Sequence, residues 1–163
     1  MKKLVLSLVL IFVCTLSYTQ EVKLLSAYVK PNGETRYAVV LANNSICWTD
    51  PNVGQWFKVA TNGLPEKFTV KKMSAYIKPN LETRYAVVLG NNSILWADPN
   101  VGQWFKVATL GLPESIDIKE FVAYVKSNSE TRFGITLTDN SIWWADPNVG
   151  QWNKVSTAGL SDK

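Results

Sequence analysis

A 48-residue unit is written three times in this chain without a gap, starting at Val22, Val70 and Ile118. Trp48 therefore maps onto Trp96 and Trp144, and Trp56 onto Trp104 and Trp152. With a period of this length, each copy is one supersecondary unit that buries its apolar surface against its neighbours rather than within itself. Function is then expected in a site that recurs with the unit. The first two copies are identical at all but eleven positions, and the third diverges further, with Phe133-Gly134 for Tyr-Ala, Asn153 for Phe, and Ser127 and Ser161 for Pro. The string Asp-Pro-Asn-Val-Gly-Gln-Trp is nevertheless unchanged at 50–56, 98–104 and 146–152.

Ahead of the repeats, Lys2 and Lys3 precede an apolar run from Leu4 to Val13, the pattern of an export signal. The run is too short to span a bilayer as a helix. Ser17 and Thr19 suit the −3 and −1 positions of a signal peptidase site, which predicts a signal peptide over 1–19 and Gln20 as the first mature residue. Lipid attachment at Cys14 is the alternative, but Ile11-Phe12-Val13 leaves no small residue ahead of it. Removing 19 residues from 163 leaves 144, three times 48. The mature chain is then a single repeat domain over 20–163, with units 22–69, 70–117 and 118–163. It is expected to be secreted or periplasmic, with no membrane span after cleavage.

Charge narrows the partners. The full chain carries +4, and loss of Lys2 and Lys3 leaves about +2, too little to argue for nucleic acid. Cys14 departs with the signal, so Cys47 has no partner and the fold is expected to rely on packing rather than disulfides. Leu95 and Trp143 stand at the matching positions, which reads Cys47 as a small hydrophobe. There is no histidine, so the commonest general base and metal ligand is missing. Three equal carboxylate pairs in so small a chain do not read as an active site. The expectation is no enzyme, no cofactor and no metal.

Each unit alternates four strand-like stretches with turn signals. In the second copy these are Lys72 to Lys78, Thr83 to Leu89, Ser93 to Ala97, and Gln103 to Thr109. Pro79-Asn80, Gly90-Asn91-Asn92 and Asp98-Pro99-Asn100-Val101-Gly102 separate them. Both faces carry apolar side chains in Arg84-Tyr85-Ala86-Val87-Val88-Leu89, unlike a sheet with one wet face. Small four-stranded sheets covered on both sides are the blades of a β-propeller. The predicted fold class is all-β, with three four-stranded antiparallel propeller-type blades. Rings take four to eight blades, so three imply that two chains combine into a six-bladed homodimer with C2 symmetry. A β-trefoil, which also has three four-stranded repeats, is the alternative.

Three repeated constellations carry candidate chemistry. Asp50, Asp98 and Asp146 open a Pro-Asn-Val-Gly turn, where they either cap the backbone or bond to sugar hydroxyls from a rim loop. That turn does not match an EF-hand, because Gly falls one position early and no Glu closes it. Trp56, Trp104 and Trp152 open the fourth strand and are expected to pack between blades. Trp48, Trp96 and Trp144 end a strand beside a polar loop, where an indole is placed either in the core or against the C–H face of a pyranose. Glu-Thr-Arg recurs at 34–36, 82–84 and 130–132, and puts Arg36, Arg84 and Arg132 into an apolar strand. Such an arginine forms an ion pair with its neighbour or presents a fork of donors to ligand oxygens.

The order Gln103-Trp104-Phe105-Lys106-Val107, Gly111-Leu112-Pro113, an apolar strand, Arg-Tyr-Ala-Val, then Asn92-Ser93-Ile94-Leu95-Trp96 or its copies resembles the blades of tectonin and tachylectin-type propeller lectins. The similarity covers all three units. It implies shallow glycan sites, one per blade or per gap, that gain avidity from their number. Fucose-binding propellers are similar in using an arginine and an indole per site, which implies Arg36, Arg84 and Arg132 with Trp48, Trp96 and Trp144. Trefoil lectins carry Gln-x-Trp, whereas here Gln and Trp are adjacent at 55–56, 103–104 and 151–152. A structural or protein-docking module whose tryptophans are purely core is the rival functional reading.

Overall fold

The structure is a computed structural model that describes residues 20–158 apart from Asn100. The expected signal segment and Ser161 lie outside the described residues. Each unit forms one four-stranded antiparallel sheet in simple meander order. The first comprises β1 (Val22–Val29), β2 (Thr35–Leu41), β3 (Ile46–Asp50) and β4 (Gln55–Lys58). The second comprises β5 (Val70–Ile77), β6 (Thr83–Leu89), β7 (Ile94–Asp98) and β8 (Gln103–Lys106). The third comprises β9 (Ile118–Val125), β10 (Thr131–Leu137), β11 (Ile142–Ala145) and β12 (Trp152–Lys154). No helix occurs among the described residues, and so none long and apolar enough to cross a membrane. The fourth strand is shorter than the sequence predicts, ending at Lys106, although the Val107 amide still bonds the Ile94 carbonyl at 2.9 Å.

These sheets stack as propeller-type blades, with first strands side by side, β1 against β5 and β5 against β9. Apart from two isolated bridges, Asn62 with Gln103 and Leu110 with Gln151, ladders stay inside a unit, so no barrel closes and the trefoil alternative is overturned. Strand alternation sends Ala86 and Val88 forward onto blade three, while Tyr85, Val87 and Leu89 point back onto blade one. This explains why β6 is apolar on both faces.

Two cores result, one in each gap, and they are the same core moved by one repeat. Tyr28, Ala38, Val40, Ile46 and Val59 meet Val70, Ala75, Tyr85, Val87, Leu89 and Trp104 in the first gap. Their counterparts Tyr76, Ala86, Val88, Ile94 and Val107 meet Ile118, Ala123, Phe133, Ile135, Leu137 and Trp152 in the second. Trp104 and Trp152 are 2% exposed, and their indole nitrogens donate to the carbonyls of Ala60 (2.8 Å) and Ala108 (3.0 Å) in the preceding blade. Gly63 and Gly111 have φ of +87° and +91°, and a Cβ there would run into the next blade's fourth strand at Trp104 and Trp152. Glycine is therefore required by the approach of the following blade.

Candidate functional site

Nine candidate residues fall into three clusters, one per blade. In blade two, Arg84 enters β6 buried, and its Nη2 contacts Glu82 Oε2 at 2.5 Å and Asp98 Oδ2 at 2.9 Å. Its Nη1 donates to the carbonyl of Thr83 at 3.1 Å. Blade one repeats this, with Arg36 Nη2 at 2.6 Å from Glu34 and 2.8 Å from Asp50. Blade three clamps Arg132 in the same way but with both nitrogens, Nη2 lying 2.5 Å from Glu130 and Nη1 2.9 Å from Asp146. Two carboxylates on one guanidinium offset the cost of burying it and fix the direction of its remaining N–H groups. Among the described residues, Arg84 Nε is a buried donor with no protein partner.

The repeated turn string does two jobs at once. Asp50 Oδ1 accepts the amide of Asn52 and Asp146 Oδ1 that of Asn148, both at 2.9 Å, while each Oδ2 holds the arginine. The capping role expected from the turn is therefore present, and the second oxygen ties the turn to the guanidinium. Each aspartate is thereby directed at arginine more than at open solvent. Val101 and Gly102 amides return to the Asp98 carbonyl at 3.1 and 2.8 Å, and Gly102 takes φ +69°.

The indoles stand beside these clusters. The Arg84 guanidinium carbon lies 5.9 Å from the Trp96 ring centre, and that of Arg132 lies 5.3 Å from Trp144. Trp48 stacks on Phe57 and Trp96 on Phe105, each with ring centres 4.7 Å apart. These phenylalanines sit directly across the ladder from the tryptophans. In blade three the partner across from Trp144 is Asn153, so the indole has no ring behind it.

Each complete cluster opens into a cleft walled by the following blade. Lys30, Arg36 and Trp48 face Leu81, Thr83 and Pro99 across a cleft of about 390 Å³. Lys78, Arg84 and Trp96 face Ser129, Thr131 and Pro147 across a narrower one of about 80 Å³. These are the same positions displaced by one unit. Another cleft of about 340 Å³, near Phe68 and Leu89, contains neither an arginine nor an indole.

Hydrogen bonding to Asn80 is the main cause holding the Glu82 carboxyl below its ordinary range, against an opposing push from desolvation and with further help from the Arg84 charge. Hydrogen bonds from Lys126 and Asn128, and then the Arg132 charge, do the same for Glu130. Burial pushes the Tyr76 and Tyr85 phenols well up, so both stay protonated beside the clefts. The sequence offers Glu34, Glu82 and Glu130 as ion-pair partners of the arginines, which is where they stand. The opposing wall of Thr83 and Thr131 was not legible at all, because it comes from the next blade.

Neither the family models nor the curated protein sequences yield a match to this chain. Among solved structures, the fold is similar to that of a fucose lectin from Kordia zhangzhouensis in complex with methyl-fucoside. The TM-score is 0.53 at 13% identity, over 81% of this chain and 97% of that one. The class is thus an all-β repeat fold of propeller-type blades. The likeness does not single out the tectonin and tachylectin type.

Proposed function

We propose that this protein is an exported, non-catalytic glycan-binding protein that works as a pair of chains and takes one sugar per gap between blades. The observation that carries the reading is the recurrence, in both internal gaps, of a guanidinium fixed by two carboxylates next to an indole at a cleft mouth. Unused N–H groups of the arginine suit hydroxyl or ring oxygens, and the outer oxygens of Glu34, Glu82 and Glu130 accept from hydroxyls. Trp48, Trp96 and Trp144 offer a flat apolar face to the C–H side of a pyranose. The fold's likeness to a fucose lectin makes methyl-fucoside the first ligand to try.

Arg36, Arg84 and Arg132 are the binding residues in this reading, with the tryptophans as shelves and Asp50, Asp98 and Asp146 as the groups that orient the arginines. Calorimetric titration with methyl-fucoside and a panel of other methyl glycosides tests it. Saturable binding that loses one site in the folded Arg84→Ala, Trp96→Ala variant is the expected result. Well-folded protein that binds no sugar in the panel would sink it and favour a protein-docking module. Mass spectrometry of the released protein, starting at Gln20, checks export.

A further inference from the structure

The outer faces of blades one and three carry the two halves of an interface that the chain builds twice inside itself. At both internal junctions, the later blade's tryptophan amide donates to the earlier blade, Trp104 to Asn62 and Trp152 to Leu110, each at 2.8 Å. Asn44 accepts the Val70 amide at 3.2 Å and Asn92 that of Ile118 at 3.3 Å. Lys71 bonds Asn92 at 3.2 Å and pairs with Asp117. The open ends carry the same groups without their counterparts. Trp56 is 51% exposed where its copies are 2%. Tyr124 is 45% exposed where Tyr28 and Tyr76 are 8% and 7%. Lys119 bonds Asn140 at 3.2 Å in the pose of Lys71, and the position matching Asp117 is Glu21, at the other end of the chain.

We infer that a second copy of this chain closes these ends, blade three of each on blade one of the other, and that the third sugar site is built across that junction. Arg132 and Trp144 form a half-site, with Trp144 37% exposed and no blade opposite. Displacing the wall of the internal clefts by one repeat supplies Thr35 and Pro51 of a second copy, in the places of Thr83 and Pro99. Two chains of three blades give six, within the range in which propellers close, whereas three chains give nine. The contact is head-to-tail, and two-fold repetition closes it. One internal bond is exchanged. Ser26 and Ser74 accept the amides of Ala75 and Ala123 at 3.0 Å, but the third copy has Val122. Gly134 replaces alanine next to it, and a Cβ there would stand 3.1 Å from Val122 Cγ1. Blade three therefore offers a more apolar face at that point.

The site assignment rests on the sugar-binding reading, whereas the closure does not. Sedimentation of the purified full chain, together with methyl-fucoside titration, tests the two separately. The expected result is a particle of twice the chain mass with three sites per chain. Trp56→Asp and Val122→Asp lie on opposite faces and outside the arginine clusters. Each is expected to weaken pairing by about 30-fold or more and to leave monomers with two sites per chain. Lys119→Glu is expected to weaken pairing about threefold and Glu21→Lys to restore it, a rescue that a folding defect would not show. A wild-type monomer overturns the closure. Monomeric variants that keep three equal sites overturn the shared site. A dimer that binds no methyl-fucoside supports closure and counts against the sugar reading.

Discussion

Trp104 and Trp56 occupy the same position in consecutive, nearly identical units, yet one is sealed between blades and the other stands in the open. The local sequence around them, Gln-Trp-Phe-Lys-Val-Ala-Thr, is the same. What differs is only whether a blade precedes them. Arg84 and Arg132 make the corresponding contrast at the functional end, since both are clamped by two carboxylates but only Arg84 looks across a cleft at another blade. In a repeat protein, the neighbour decides both stability and site completeness, and the unit's own residues decide neither alone.

The contrast should be sharpest in stability. Trp104→Ala removes an indole from a filled gap and is expected to cost about 3–5 kcal/mol, read from urea unfolding. Trp56→Ala, measured in dilute, unpaired protein, should cost under about 1 kcal/mol. Equal losses would erase the distinction between sealed and open positions. Arg84→Leu comes next, because it takes the guanidinium from between Glu82 and Asp98; it is expected to destabilise less than Trp104→Ala, along with the loss of one sugar site.

Smaller changes probe the shelf and the clamp. Asn153→Phe should place a ring behind Trp144, as Phe105 stands behind Trp96, and is expected to stabilise by about 0.5–1 kcal/mol in the same unfolding assay. The smallest expected effect is that of mild acid. The carboxyls of Glu82 and Glu130 are lowered from 4.5, so their contribution to the folded site is present above that value and disappears as pH falls through the depressed folded value. Sugar affinity should stay flat from neutral pH to about 4.5 and decline only below it. A decline between pH 7 and 5 would point to a different controlling group.

Much of this was legible in one dimension. Apolar residues on both sides of Arg84–Leu89 imply a sheet covered on both faces, and the Asp-Pro-Asn-Val-Gly string implies the turn that is found. Glu, Arg and Asp were visible as repeated positions. The Glu–Arg pair follows from Glu-Thr-Arg as one of two readings of that arginine; the arrival of the aspartate does not, because Arg84 and Asp98 are brought together only by pairing β6 with β7, and the Trp48 and Trp96 shelves are completed by pairing with β4 and β8. Trp56 reads as core in every copy because it sits on the fourth strand as Trp104 and Trp152 do, yet within one chain it has no preceding blade to pack against.

The sequence by itself determined the repeat, the all-β class, the four-stranded unit and the residue types available to a site, since periodicity and turn chemistry act over a few residues. Only the tertiary structure decided that the units stack as blades instead of closing as a trefoil, that two carboxylates share each guanidinium, and that each cleft takes its second wall from the following unit. Those outcomes depend on contacts tens of residues apart, such as Trp104 with Ala60. No local pattern encodes which blade a given face will meet.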